Sequence, residues 1–246
     1  MEQKYLNVAA YVFFHVDHIE ELQENLLQFC NEKGLRGSIL LAKEGINLYV
    51  CGFREDVNAL QRYLHGKCGI PQMEYKESWS DFQPFRRMLV KIKDEIITMK
   101  HDAINPEEFT GPRIAPQEFK KWLDENRDIY VLDTRNDYEV ECGKFYKAEH
   151  LNVKSFTEFA KKAQDLDENI KEKPVVMYCT GGIRCEKASS LFLKEYGFKE
   201  VYQLEGGILK YFEECGGAHY DGDCFVFDER TCVDKNLQIS DKYKEI

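Results

Sequence analysis

Nothing in the chain approaches the ~18 consecutive apolar residues that a membrane-spanning helix requires, which excludes a helical integral membrane protein. The opening MEQKYLNVAAYVFFHV has an apolar core but neither a basic leading region nor a small-residue cleavage site, so it does not read as a signal peptide. Positive charge is in deficit: 34 Lys+Arg stand against 44 Asp+Glu, a net charge of −10. That balance argues against a generic nucleic-acid binder, although a local basic patch can hide under the sum. No Gly-x-Gly-x-x-Gly fingerprint for a flavin or nicotinamide appears, and no paired Cys-x2-Cys knuckle for zinc. Nine cysteines, an odd number scattered through 246 residues, make a poor disulfide framework. A reducing, cytoplasmic setting is expected, with most cysteines behaving as small buried hydrophobes. Internal repeats and low-complexity segments are also lacking. What is present, 43% hydrophobic and 32% charged residues, suits one or two folded domains with real cores.

The first hundred residues change type repeatedly. Leu6–Phe14 is a β-rich apolar run, and Ile19–Cys30 has helical spacing through Leu22, Leu26, Leu27 and Phe29. Ser38–Leu41 and Ile46–Val50 read as strands around a Gly45 turn, and Arg54–Leu64 as a second helix. Met73–Lys76 and Arg87–Ile92 are further strand candidates, with Glu95–Met99 closing a hairpin. This β-α-β-β-α-β order predicts a ferredoxin-like α+β domain over 1–100. Residues 101–116 hold three of the six prolines and no regular period, and read as a linker. From there strands alternate with helices. Helices are expected from Ala115 to Glu125, over Phe156–Ala163, Cys185–Tyr196 and Ile208–Glu214. Strands are expected at Ile129–Leu132, then Tyr138–Cys142, Pro174–Tyr178 and Val201–Leu204. The alternation predicts a parallel α/β domain over 117–216. A polar extension, 217–246, follows with one strand-like run at Cys224–Phe227.

The most informative segment is Tyr178-Cys179-Thr180-Gly181-Gly182-Ile183-Arg184-Cys185, between a buried strand and a helix. Ligands of parallel sheets bind at the carboxyl ends of strands, where Cys179 sits. Thr180, Gly181, Gly182 and Ile183 form a tight loop whose N–H groups can turn inward, and the next helix adds its positive end. Arg184 adds a fixed charge. All three favour thiolate over thiol, making Cys179 a candidate nucleophile. The alternative is an inert strand-end cysteine.

A Cys-X4-Arg loop after a buried strand resembles the active-site loop of rhodanese domains. Asp133-Thr134-Arg135-Asn136-Asp137-Tyr138-Glu139 is similar to that family's Asp-x-Arg-x-x-x-Glu segment, and Glu205-Gly206-Gly207 to its late Gly-Gly turn. The resemblance covers about residues 112–214 and implies a rhodanese-like parallel α/β fold in which Cys179 carries sulfur as a persulfide. It places Asp133 and Arg135 beside the cleft as support. Phosphatases on this fold use Cys-X5-Arg, and the shorter ring here fits a sulfur atom better than a phosphoryl group.

A narrower resemblance uses most of the chain. Lys43-Glu44-Gly45-Ile46-Asn47, Asp133–Glu141, YCTGGIRCEKAS at 178–189 and DCFVFDER at 223–230 look like the rhodanese-containing tRNA uridine hydroxylases. That likeness implies hydroxylation of the first anticodon uridine to 5-hydroxyuridine, with tRNA as partner and molecular oxygen as co-substrate. It also implies a persulfide or electron donor, and no further cofactor is evident. The alternatives are a sulfurtransferase working through a Cys179 persulfide, and a non-catalytic adaptor using the fold for docking.

Cys185 is either a second reactive thiol that exchanges with sulfur on Cys179 or a packing residue at a helix start. Cys142, with only Lys144 as a basic neighbour in sequence, reads as packing. For RNA, Arg86, Arg87, Lys91, Lys93 and Lys100 outnumber Asp94 and Glu95 by three over residues 86–100. Alternation puts Arg87, Leu89, Lys91 and Lys93 on one side of a strand, beside the aromatics Trp79, Phe82 and Phe85, with Lys43 adding charge. The bland reading is a solvated strand face over core aromatics. His15-Val16-Asp17-His18 reads as a turn entering a helix. Cys215, His219, Cys224 and Cys232 are too irregularly spaced to support a metal site, and none is assigned.

Overall fold

The computed structural model describes residues 4–240 and 242, so residues 1–3 of the expected first domain and 241 and 243–246 of the extension lie outside the described residues. The chain divides into two compact units. One runs to Ile97 and takes in Phe227–Arg230; the other runs from Thr98 to Val226 and resumes at Thr231.

In the first unit the elements are β1 (Tyr5–Phe13), α1 (Ile19–Glu32), β2 (Arg36–Ala42), β3 (Gly45–Gly52), α2 (Arg54–Gly66), β4 (Lys76–Ser80) and β5 (Met88–Ile92). The sheet order is β4-β1-β3-β2-β5. All neighbours are antiparallel except β2 and β5. One residue row of each strand, including Leu6, Val8, Ile39, Leu48 and Val50, packs against Leu26, Cys30, Val57, Leu60 and Leu64 of the two helices. Gly45 is required where β2 turns into β3: its φ is +145°, and a Cβ there would meet the Val12 carbonyl oxygen at 2.1 Å.

Two expectations for this region need correction. The strand read at Met73–Lys76 begins only at Lys76, because Met73 and Tyr75 pack their side chains against the core from outside the ladder. Glu95–Met99 closes no hairpin. Side chains take its backbone groups instead: the Ile96 N–H donates to Glu44 Oε1 at 2.8 Å, and Asn47 Nδ2 donates to the Ile96 carbonyl at 3.2 Å.

The second unit opens with β6 (Arg113–Ile114), α3 (Pro116–Asp124), β7 (Tyr130–Asp133), α4 (Asp137–Val140), β8 (Gly143–Phe145) and β9 (Glu149–His150). It continues through α5 (Phe156–Ala163), α6 (Glu168–Lys171), β10 (Val175–Tyr178), α7 (Ile183–Lys194), β11 (Val201–Leu204) and α8 (Gly207–Cys215). The tail adds β12 (Tyr220–Gly222), β13 (Cys224–Phe225) and β14 (Cys232–Val233). The main sheet runs β6-β11-β10-β7-β9, all parallel. Val175, Val176, Met177 and Tyr178 are all buried in its central strand, as expected of a parallel sheet covered on both faces.

The stretch read as a linker ends inside this sheet, since β6 pairs with β11. Tyr138–Cys142 is not extended. Asn136 and Glu139 form a reciprocal capping box that starts the short helix α4. The tail strand stops at Phe225, and the extension forms two small ladders, β12 with β8 and β13 with β14. Cys142, expected merely to pack, is joined to Cys232 in a disulfide across 90 residues, a pairing that sequence spacing did not reveal.

Candidate active site

Strand β10 delivers Cys179 to the carboxyl edge of the second sheet, held between β7 and β11. The loop then turns through Gly182, whose φ of +98° caps α7 in the left-handed region. That turn aims the Gly182 N–H back at the sulfur, which it reaches at 3.1 Å. The Cys179 side chain is buried, and burial by itself pushes a thiol up. Here the Cys185 thiol, the Arg184 guanidinium and the amides of Arg184 and Gly182 outweigh it, holding Cys179 down at about 6. The loop therefore stabilises a thiolate by named donors and a named charge.

Arg184 is itself fixed. Its Nη2 lies 3.0 and 2.8 Å from the two carboxylate oxygens of Glu139, both side chains being buried. Glu139 is anchored in turn because its Oε2 accepts the Asn136 N–H at 3.1 Å. The capping box of α4 thus sets the guanidinium. Glu139 was legible only as a letter of the Asp-x-Arg-x-x-x-Glu segment; the Asn-x-x-Glu spacing was the signal for its position.

Asp133 and Arg135 are completely buried and form a bidentate pair, with Nη2–Oδ2 at 2.7 Å and Nε–Oδ1 at 2.9 Å. Arg135 also donates to the carbonyls of Gly143 at 2.7 Å and Glu139 at 3.2 Å, and its guanidinium lies 5.7 Å from the Tyr178 ring. Both side chains hold backbone behind the loop, and neither is exposed to a reacting molecule. The Gly206-Gly207 turn holds the loop from the other side. The Ile208 and Leu209 N–H groups donate to the carbonyls of Cys179 and Thr180 at 3.0 and 3.1 Å. A Cβ on Gly207 would meet the Cys179 carbonyl oxygen at 2.4 Å at a φ of +65°. Thr180 Oγ1 donates to the Phe225 carbonyl at 3.4 Å, and Phe225 meets the Tyr138 ring edge-on at 5.1 Å, so β13 touches the loop.

The model of the UPF0176 acylphosphatase like domain matches residues 5–96, and that of the rhodanese-like domain matches residues 115–214. A tRNA uridine(34) hydroxylase of Cupriavidus necator is 48% identical over 238 residues, 95% of this chain and 84% of that protein. One of Burkholderia lata is 50% identical over 244 residues, 95% of this chain and 85% of that protein. The chain belongs to the tRNA uridine(34) hydroxylase family. Its two-part architecture, an acylphosphatase-like (ferredoxin-like) domain followed by a rhodanese domain, is that of the matched models.

The remaining expected residues of this family member fall as follows. The helix expected from Cys185 starts two residues earlier, so Ile183, read as loop, is its first residue and Cys185 its third. Cys185 is fully buried, in hydrogen-bonding reach of Cys179, and Thr134 Oγ1, which sequence reasoning missed, lies 3.8 Å from its sulfur. Lys43 is exposed in the β2–β3 turn, and Arg87, Lys91 and Lys93 are exposed on or beside the edge strand β5. Arg86 differs, since its Nε lies 2.8 Å from Glu229 Oε1. The stacking cluster drawn from sequence is also broken up. Trp79 pairs with the core residue Leu6 on the helix-covered face, under the Arg54 guanidinium at 4.8 Å, while Phe82 is exposed. Among the described residues no group of three or more His, Cys, Asp or Glu side chains is arranged to hold a metal ion. No described helix is long and apolar enough to cross a membrane.

Proposed function

We propose that this protein hydroxylates the wobble uridine of tRNA to 5-hydroxyuridine, with molecular oxygen as co-substrate and Cys179 as the reactive centre. The observation that carries the reading is a buried Cys179 sulfur faced by the Cys185 thiol, the Arg184 charge and the Arg184 and Gly182 amides, all favouring the thiolate, in a chain half identical to proteins named tRNA uridine(34) hydroxylase. A thiolate is the side chain suited to add to an electron-poor pyrimidine ring carbon. Addition of Cys179 to C6 of uridine moves electron density to C5, where the hydroxyl enters. Loss of the C5 proton and departure of the sulfur then restore the ring. Arg184 and the loop amides hold the sulfur anion before addition and receive it again afterwards.

Exposed Lys43, Arg87, Lys91 and Lys93 supply phosphate contacts for the RNA. With a net charge of −10, that binding is modest and steeply salt-dependent. Mass spectrometry of tRNA nucleosides from a strain lacking this protein and any redundant pathway tests the reading. Loss of 5-hydroxyuridine and its derivatives, restored by the wild-type gene, supports it; unchanged levels refute it. Thiosulfate turnover dependent on Cys179 but indifferent to RNA would favour the sulfurtransferase alternative.

A further inference from the structure

The loop holds a second thiol that the thiolate's role in addition does not use. Cys185 is fully buried one position after Arg184, its N–H bonded to the Gly182 carbonyl at 3.0 Å and its sulfur in hydrogen-bonding reach of Cys179. The two sulfurs are unequal partners. Cys179 is the anion, and Cys185 is the protonated donor, pushed well up by burial, by the hydrogen bond it gives and by the neighbouring negative charge. Thr134 Oγ1, at 3.8 Å, acts in the opposite sense on Cys185. A low-lying nucleophile beside a protonated partner is the arrangement of a dithiol that opens and closes as a disulfide.

We propose that Cys179 and Cys185 form a redox couple that supplies the two electrons of the hydroxylation. Insertion of one atom of dioxygen into the C5–H bond requires two further electrons to carry the other atom to water. Uridine, dioxygen, the Cys179 thiolate, the Cys185 thiol and one solvent proton enter; 5-hydroxyuridine, water and a Cys179–Cys185 disulfide leave. Dioxygen gains four electrons, two from the carbon centre and two from the sulfurs, and the Cys185 proton and the solvent proton end in the water. An external dithiol then reopens the bond by exchange, becoming a disulfide itself. The geometry also times the step. Once the Cys179 sulfur is oxidised it no longer bears the negative charge that disfavours ionisation of Cys185, so Cys185 becomes a better nucleophile when it must attack.

The use of the couple in hydroxylation rests on the function proposed above; the existence of the couple does not. Two experiments on the full chain separate them. In the first, the reduced protein is treated with hydrogen peroxide, alkylated and digested with trypsin, which cuts after Arg184 and so puts the two cysteines on different peptides. Peroxide converts the Cys179 thiolate to a sulfenic acid, and attack by Cys185 expels water. The expected result is a linked peptide pair that dithiothreitol separates, while Cys185→Ala drives Cys179 to the irreversible sulfinic acid. A wild-type protein in which Cys179 reaches sulfinic acid and Cys185 stays alkylatable overturns the couple, whether or not Cys185→Ala folds. In the second, reduced protein and unmodified tRNA receive a pulse of dioxygen without added reductant. One disulfide per hydroxyuridine is expected. Product without that disulfide overturns the electron role, whereas a linked pair in the first experiment with no product in the second retires the hydroxylase reading and leaves the couple standing.

Discussion

Removing the charge of Arg184 should change how Cys179 reacts with pH, and the size of the effect can be worked through. With the sulfur held at about 6 instead of the ordinary 9.0, the thiolate fraction at pH 7 rises from about one in a hundred to about nine in ten. Against that roughly ninetyfold gain, a less basic thiolate is a poorer nucleophile: a Brønsted slope of about 0.4–0.5 gives back roughly 15- to 30-fold. The net advantage at pH 7 is therefore only about three- to sixfold over an equally accessible ordinary thiol, and the midpoint is the sharper observable than the rate. Iodoacetamide labelling of Cys179, followed by peptide mass spectrometry from pH 4 to 10, should rise through about 6 and then level off. Half-buried Cys68 and Cys215, pushed above the ordinary value chiefly by burial, should still be rising at the top of the range. Arg184→Gln removes a cation that favours the anion, so its midpoint must move upward, while Arg184→Lys should keep most of the shift. Circular dichroism is the control, because Glu139 is left buried without this partner. A wild-type midpoint near the ordinary value, or one that ignores Arg184→Gln in a folded protein, would refute the electrostatic account of the loop.

Three further outcomes are expected. Arg135→Met should cost roughly 3–5 kcal/mol in urea unfolding because it strands the fully buried Asp133 carboxylate, and adding Asp133→Leu should recover part of that loss. Gly207→Ala should cost more than the ~1–2 kcal/mol of a left-handed non-glycine residue, since its Cβ meets the Cys179 carbonyl oxygen, and it should slow Cys179 labelling as well as lower the melting temperature. Arg87→Ala, Lys91→Ala and Lys93→Ala should each lower the salt slope of tRNA binding by about one, whereas Arg86→Ala, whose charge already faces Glu229, should lower it less.

Much of this was legible in the chain because it depends on local patterning. PVVMY reads as a strand buried on both faces, and Thr-Gly-Gly after it as a tight turn feeding a helix, which begins at Ile183. What sequence reasoning missed are pairings between distant segments. Glu139 lies 45 residues from the guanidinium it fixes. Cys142 and Cys232 are 90 apart, and no spacing rule joins them. Thr180 donates to the Phe225 carbonyl across 45 residues. Trp79 was misplaced for another reason: strand period says which residues share a face, but not which face the helices cover, and Trp79 falls half-buried on the covered one.

The central claim is that Cys179 drives oxygen-dependent hydroxylation of the wobble uridine. Its most direct test is nucleoside mass spectrometry on tRNA from a deletion strain, carrying either the wild-type gene or Cys179→Ser, grown under isotopically heavy dioxygen. The account requires heavy oxygen in the 5-hydroxyuridine of the wild-type strain and loss of that nucleoside in the Cys179→Ser strain. Label-free hydroxyuridine, or equal amounts with serine at that position, would contradict it.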